Sequence, residues 1–174
     1  MSTTLFAQLT VLARPLDPMK IRAVTNTGDG GHPRGHHNKP YGGLWTSTYL
    51  EEGRYASEWV DFIYTNSLDT WRNGPRAYLL TPGVGARIYH VGNEDEARYL
   101  ARTYPYFDRC NPRVIAWDGI DWVALSADYD AVHFLTDDAA QEPELFHGWD
   151  VESTVWFRPL FRSVQPYNGK LVRT

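Results

Sequence analysis

GWDVESTVWF, residues 148–157, is the stretch that decides the fold. Its second half is rich in β-branched and aromatic residues and Pro159 follows, so we expect a strand over residues 151–157. Alternation along a strand then places Asp150, Glu152, Thr154 and Trp156 on one face. Two carboxylates flanked by tryptophans indicate the wall of a binding cleft. An edge strand with one solvated face is the simpler alternative.

Strands dominate the rest of the chain as well. Segments bounded by turn residues predict strands over residues 4–14, 20–24, 44–50, 77–80, 87–91, 114–117 and 131–135. Helical spacing of apolar residues is clearest over residues 93–104. We expect a helix there, with Asn93 as its N-cap and three acidic residues in its first turn. Shorter helical patterns follow Ser57, another possible cap, and cover residues 120–127. The pattern predicts an α+β fold with a mixed and antiparallel sheet and few short helices.

Length and composition indicate one globular domain. The chain has 174 residues, of which 43% are hydrophobic and 22% charged, and we find no repeat or linker. Cys110 is the only cysteine, which excludes an internal disulfide and favours a reducing compartment. The first residues carry no basic and apolar leader, and no apolar run reaches the roughly 20 residues of a membrane span. We therefore expect a cytoplasmic protein with no membrane partner.

The charge is negative but unevenly placed. The net charge of −4 argues against strong nonspecific nucleic-acid binding. Residues 1–40 carry five basic and two acidic side chains, and residues 158–174 carry four basic and none acidic. The two ends are either a solvated loop and tail or, if they pack together, a cradle for an anionic ligand.

Several common kinds of site are not expected. His32, His36 and His37 stand in a Gly- and Pro-rich loop over residues 26–43, but nearby carboxylates are scarce and the cysteine is remote. Because zinc needs three or four converging ligands, we expect no metal site there. The chain has no Gly-x-Ser-x-Gly elbow and no phosphate-binding loop of the Gly-x-x-x-x-Gly-Lys type.

A second polar stretch is KPYGGLWTSTY, residues 39–49. It is a Gly-rich turn that leads into a strand of small hydroxyl residues between aromatic rings. Hydroxyls on a strand can bind a ribose or orient a carboxylate, and rings such as Trp45 can stack on nicotinamide or adenine. Threonine and tryptophan are also ordinary strand residues, so this pattern alone leaves both interpretations open.

Taken in order, these residues resemble the Arg–Ser–Glu clade of the ADP-ribosyltransferase superfamily. That family has a strand arginine, a triplet of serine or threonine on a strand, and a glutamate on a late strand. This chain offers Arg22, the triplet Thr46-Ser47-Thr48, and Glu152. The segment Tyr129-Asp130-Ala131-Val132 is similar to a step that precedes the last strands of the family.

The resemblance implies a split β-core that binds NAD as a substrate. Glu152 would hold a hydroxyl of the nicotinamide ribose and stabilise an oxocarbenium-like transition state. Arg22 would face the pyrophosphate, and Thr46 or Ser47 would position the ribose or Glu152. Since neighbouring strand residues point to opposite faces, Thr46 and Ser47 cannot both have this role.

The chain departs from the family pattern at two positions, and these leave the acceptor open. Thr46 replaces the first serine of the usual triplet, and Asp150 stands where many members carry a glutamate or glutamine that engages the acceptor. Arginine, another side chain, a nucleobase and water all remain candidate acceptors. One alternative is a non-enzymatic, aromatic-rich β-protein that binds another macromolecule. A second is an enzyme that acts on a nucleotide by other chemistry.

Overall fold

The computed structural model describes residues 6–12, 17, 19–26, 39–68, 76–106, 119–135, 143–146 and 148–173. These residues form one seven-stranded sheet and three short α-helices. The strands are β1 (Gln8–Leu12), β2 (Leu44–Thr48), β3 (Arg76–Pro82), β4 (Ile88–Val91), β5 (Ala131–Phe134), β6 (Ser153–Trp156) and β7 (Phe161–Pro166). The helices are α1 (Glu58–Thr65), α2 (Glu94–Thr103) and α3 (Trp122–Asp128), and a single 3₁₀ turn covers Glu144–Phe146.

The sheet has the order β4-β5-β6-β2-β1-β3-β7. Only β4 and β5 run parallel, and helices α2 and α3 lie between them in the chain. All other neighbours are antiparallel. The α+β class and the mixed sheet are therefore confirmed.

Strand β2 joins two halves of this sheet. Its first three residues, Leu44–Thr46, pair with β6. Its last two, Ser47 and Thr48, pair with Leu9 and Gln8 of β1. The two halves are thus connected by two residue pairs, at the point where β2 stops pairing with β6.

The sheet is curled, and its inner face is apolar at one end. Leu44, Leu80, Ala131 and Trp156 form a buried cluster on that face. Ile88 from one edge strand and Val164 from the other pack against this same cluster. Strands at opposite edges of a sheet can share one cluster only if the sheet bends around it.

The helices cover the outer face. Helices α2 and α3 contribute Leu100 and Leu125 to a large core with Val155 of β6. Helix α1 packs Val60 and Ile63 onto Leu9 and Val11 of β1. Each helix begins at a side-chain cap, provided by Ser57, Asn93 and Asp121.

Helices were predicted more accurately than strands. The helices expected after Ser57, from Asn93 and around residues 120–127 are confirmed, with ends within a few residues. The strand expected over residues 20–24 is wrong, because these residues pair with no strand and the nearest bridge joins the next residue, Thr25, to Tyr41. Strand β7 was missed, and the expected strand over 114–117 lies outside the described residues. Within the described ranges, no helix is long and apolar enough to cross a membrane.

The turn before β2 provides a test of this packing. Gly42 has φ +89°, and a Cβ there would overlap the carbonyl oxygen of Ala23. Gly53 has φ +93°, but a Cβ there would meet nothing within 4 Å in the described part of the chain. We expect Gly53→Ala to cost about 1 kcal/mol of unfolding free energy from backbone strain alone. Gly42→Ala should cost about 3 kcal/mol because the overlap adds to the strain.

Chemical denaturation of both variants measures the difference. Equal losses would show that the segment around Ala23 moves freely and does not hold the start of β2.

Candidate functional site

The site lies at the junction of the two half-sheets, and Glu152 is its centre. This residue stands directly before β6, where pairing between β6 and β2 has ended. One of its oxygens, Oε2, accepts bonds from Ser47 Oγ at 2.8 Å and from the Thr48 backbone N–H at 2.7 Å. The other, Oε1, accepts a bond from Thr48 Oγ1 at 3.1 Å. The carboxylate thus takes the place of the backbone partner that β2 loses.

His133 completes the surroundings of this carboxylate. Its Nδ1 lies 3.2 Å from Glu152 Oε1 and 2.8 Å from Thr154 Oγ1. Strand β5 places His133 opposite Thr154 of β6, so the sheet register itself brings the ring to the carboxylate. Only 5% of the His133 side chain and 9% of the Glu152 side chain are exposed.

Gln8 links the remaining polar side chains. Its Oε1 accepts bonds from Thr46 Oγ1 at 2.8 Å and from Thr154 Oγ1 at 2.9 Å. Its Nε2 donates to Thr48 Oγ1 at 3.1 Å. The Trp156 indole N–H donates to Thr46 Oγ1 at 3.2 Å. A connected polar network thus fills the inner face where the sheet divides, and connects β1, β2, β5 and β6.

Burial governs the ionisation of both titratable groups. It raises the pKa of Glu152, with a smaller contribution from the charge of Glu58, while bonds from Thr48 and Ser47 oppose the rise. Burial lowers the pKa of His133 to about 4, helped by His90. At neutral pH the ring is therefore uncharged and the contact is not an ion pair. Three hydrogen bonds reach Glu152, and bonds of this kind favour the ionised form of a buried carboxylate.

Of the predicted site residues, the structure brings Ser47 and Glu152 into contact. Ser47 bonds to Glu152, whereas Thr46 points away toward Gln8, so of the two hydroxyls it is Ser47 that touches the carboxylate. Thr48 was missed as a site residue although it ends the same triplet. His133 and Gln8 were also missed, and neither stands in a local pattern that would single it out.

Asp150 and Trp45, two further predicted site residues, lie outside the polar network around Glu152. The prediction that Asp150 shares a strand face with Glu152 is wrong, because β6 begins only at Ser153 and Asp150 has φ +49°. Asp150 is exposed and its carboxylate lies 3.6 Å from Lys39 Nζ. The Trp45 ring packs on Trp149, with centroids 4.7 Å apart, against the outer core.

Arg22 lies beside the start of β2. Its carbonyl accepts the Gly43 N–H at 2.9 Å, and its guanidinium lies 5.4 Å from the centre of the Tyr41 ring. Glu152 is bound at the other end of β2, four residues or about 13 Å further along the strand. The structure therefore does not place Arg22 next to Glu152.

The histidines of the 26–43 loop and Cys110 lie outside the described residues. In the part of the chain that the structure describes, no three His, Cys, Asp or Glu side chains are grouped to hold a metal ion. Comparison with protein-family models, with curated proteins and with solved structures finds no match to this chain.

The lowered pKa of His133 predicts how stability changes with pH. As pH falls from about 6.5 to about 4, the unfolded chain binds a proton that the folded protein excludes, so stability is lost in this window. As pH falls, the raised pKa of Glu152 adds to the unfolding free energy, whereas the lowered pKa of His90 subtracts from it. The comparison with His133→Asn isolates the histidine, because asparagine does not titrate.

We expect the wild type to lose about 2 kcal/mol more unfolding free energy than His133→Asn between pH 7 and pH 5. Urea denaturation at the two pH values measures this difference. Equal losses of unfolding free energy in the two proteins would mean that His133 has the same pKa in the folded and the unfolded chain.

Proposed function

We propose that this protein transfers ADP-ribose from NAD to a protein or nucleic-acid acceptor not yet identified, or to water. One observation carries the proposal: the 2.8 Å bond between Ser47 Oγ and Glu152 Oε2. These are the middle residue of the hydroxyl triplet and the late glutamate of the motif order, and they stand 105 residues apart in the chain. A resemblance by order alone does not require them to touch.

The chemistry needs a fixed negative charge beside the reacting ribose. The bond from the ribose anomeric carbon to the nicotinamide nitrogen breaks, and nicotinamide leaves with the bonding electrons. The ribose becomes an oxocarbenium-like cation, and the acceptor then attacks the same carbon and loses a proton. A preorganised anion at the developing cation stabilises that transition state, and more strongly in a site that excludes water.

Glu152 suits this role through its charge. Three hydrogen bonds hold its two oxygens and His133 Nδ1 lies 3.2 Å from Oε1, so the carboxylate is oriented before any substrate arrives. A ribose hydroxyl would bond to it only by displacing a donor, and the small exposed edge of Glu152 limits that approach. We therefore assign Glu152 an electrostatic function ahead of a direct bond to the ribose.

Arg22 would contact the pyrophosphate only if NAD lies along β2. Its guanidinium is exposed and rests on Tyr41, beside the Gly-rich turn that begins the strand. In this arrangement the nicotinamide ribose lies near the end of β2 and the phosphates near its start. Asp150 remains a candidate for contact with the acceptor because it is exposed two residues before Glu152.

The alternative is a binding protein without turnover. A hydrogen-bonded network such as that of Glu152 also stabilises a sheet junction with no catalytic purpose. The two interpretations separate in the response of NAD turnover to single substitutions.

We expect Glu152→Gln to lower the release of nicotinamide from NAD by about 10²-fold or more, because the charge is lost while the shape is kept. NAD should still bind, since most of its contacts lie elsewhere. Glu51→Gln is the matched control, as it neutralises an exposed glutamate of β2's following loop, and should leave release unchanged. Asp150→Asn should reduce transfer to acceptors in cell lysate more than it reduces NAD hydrolysis.

Chromatographic measurement of nicotinamide, with and without lysate, follows each reaction. Equal release by the wild type and Glu152→Gln, or none by the wild type, would refute the transferase and favour the binding protein.

The position of NAD along β2 has its own test. Arg22→Gln removes a planar, doubly donating cation, so the KM for NAD should rise by about 10-fold with little change in kcat. Arg54→Gln is the matched control, since the Arg54 guanidinium also lies on a tyrosine ring, 5.2 Å from the centre of Tyr55. Steady-state kinetics with unchanged KM in Arg22→Gln, or with equal rises in both variants, would rule out this placement of the pyrophosphate.

A further inference from the structure

We propose that His133 is the positioning residue of the Glu152 carboxylate, and that the polar network holds its ring in the neutral tautomer with the proton on Nδ1. This inference rests on the proposed function only for its effect on turnover. The proton on Nδ1 follows from the hydrogen bonds that lead from an ionised Glu152, and burial keeps the second ring nitrogen unprotonated.

The proton positions can be followed outward from Glu152. An ionised carboxylate can only accept, so Thr48 Oγ1 must direct its proton to Oε1. Thr48 Oγ1 must then accept the bond from Gln8, which requires the amide nitrogen of Gln8 at that position. The oxygen of Gln8 consequently faces the other way, toward Thr46 and Thr154.

The same logic continues to the histidine. Because Gln8 Oε1 can only accept, Thr154 directs its proton to Gln8 and must accept the 2.8 Å bond from His133. Nδ1 of His133 therefore carries a proton, and the same nitrogen lies 3.2 Å from Glu152 Oε1.

Trp156, on the far side of the network, supports the same direction of hydrogen bonding, in which the threonine hydroxyls donate to Gln8 Oε1. An indole N–H can only donate, and it donates to Thr46 Oγ1. Thr46 therefore has its own proton free for Gln8 Oε1, 2.8 Å away. The donor-only indole at one end of the network therefore agrees with the arrangement of protons that the acceptor-only carboxylate requires at the other. Gln8 Oε1 is also nearer to Thr46 Oγ1 than the alternative acceptor, the Thr154 carbonyl at 3.4 Å.

Among the described residues, few other charged or titratable groups lie near His133 and Glu152. The ring of His90 in β4 contacts the His133 ring edge to face, with centroids 5.2 Å apart. The negative charge of Glu96 raises the pKa of His90, against the larger lowering by burial. Glu58 of α1 accepts the backbone N–H of Glu152 at 2.9 Å. On the side of β1 and β6 the neighbours are the uncharged Gln8 and Thr154. A neutral His133 places the positive end of its Nδ1–H dipole near Glu152 Oε1 without cancelling the charge of the carboxylate, which a protonated ring would do.

Long-range ¹H–¹⁵N correlation spectra of the imidazole ring report the tautomer directly. We expect His133 to show a protonated Nδ1 and an unprotonated Nε2 from pH 8 down to pH 5. His133→Asn, which lacks the ring, identifies the signal. A protonated Nε2 in the neutral ring, or an imidazolium at neutral pH, would overturn the proposal.

Support of Glu152 is tested by two variants that differ in one property. Asparagine places its amide nitrogen near the position of Nδ1, whereas glutamine places it near Nε2. The ¹³C signal of the Glu152 carboxyl group should therefore titrate as in the wild type in His133→Asn. It should titrate at higher pH in His133→Gln, where no N–H dipole lies beside the carboxylate. Identical titration in all three proteins would overturn the positioning role.

The kinetic consequence follows the same pattern and depends on the proposed function. Nicotinamide release should have a kcat within about 3-fold of the wild type in His133→Asn and about 10-fold lower in His133→Gln, with KM unchanged in both. Equal kcat values in proteins of matched melting temperature would contradict the positioning role in turnover. If the wild type releases no nicotinamide, the transferase fails, and the two spectroscopic measurements still decide the role of His133.

Discussion

The structure depends on one carboxylate at the point where a strand changes partners. Strand β2 pairs with β6 over three residues and with β1 over two, and Glu152 bonds to the backbone and side chain of the residue that ends β2. Removing one partner from a buried, hydrogen-bonded carboxylate is costly because the remaining groups stay unsatisfied. The junction therefore holds its geometry whether or not a substrate is present, which is what a preorganised electrostatic site requires.

The inner face of the curled sheet is divided between two kinds of environment. At one end, Leu44, Leu80 and Trp156 make an apolar cluster shared by strands from both edges. At the other end, Gln8, Thr154 and their neighbours form a polar network with defined donors and acceptors. Trp156 belongs to both, since its ring packs in the cluster while its N–H donates to Thr46. The apolar part supplies rigidity, and the polar part uses that rigidity to orient one charge.

Local signals in the sequence predict local structure, and the site is mostly not local. Helix α2 could be predicted because Asn93 and the acidic residues after it stand together in the chain. Strand β7 was missed because it is an edge strand with solvent-facing Arg162 and Gln165, which weaken the apolar alternation. The left-handed backbone of Asp150 has no sequence signal, and it moves this residue off the expected face. Gln8 and Thr154 meet across 146 residues, so only the fold reveals that His133 belongs to the site.

The positions of β6 and β7 late in the described sequence also determine when the seven-stranded sheet can form during synthesis. Strand β6 joins β5 to β2, and β7 covers the edge of β3, so each half of the sheet waits for a strand made after residue 150. Sheets that depend on distant partners close slowly, and their unpaired edges are exposed in the meantime. Until Ser153–Trp156 emerges from the ribosome, β2 presents an open edge, and the hydroxyls of Ser47 and Thr48 have no carboxylate to bind. A nascent chain therefore carries an unfinished β2 from the synthesis of Thr48 until the synthesis of Ser153–Trp156.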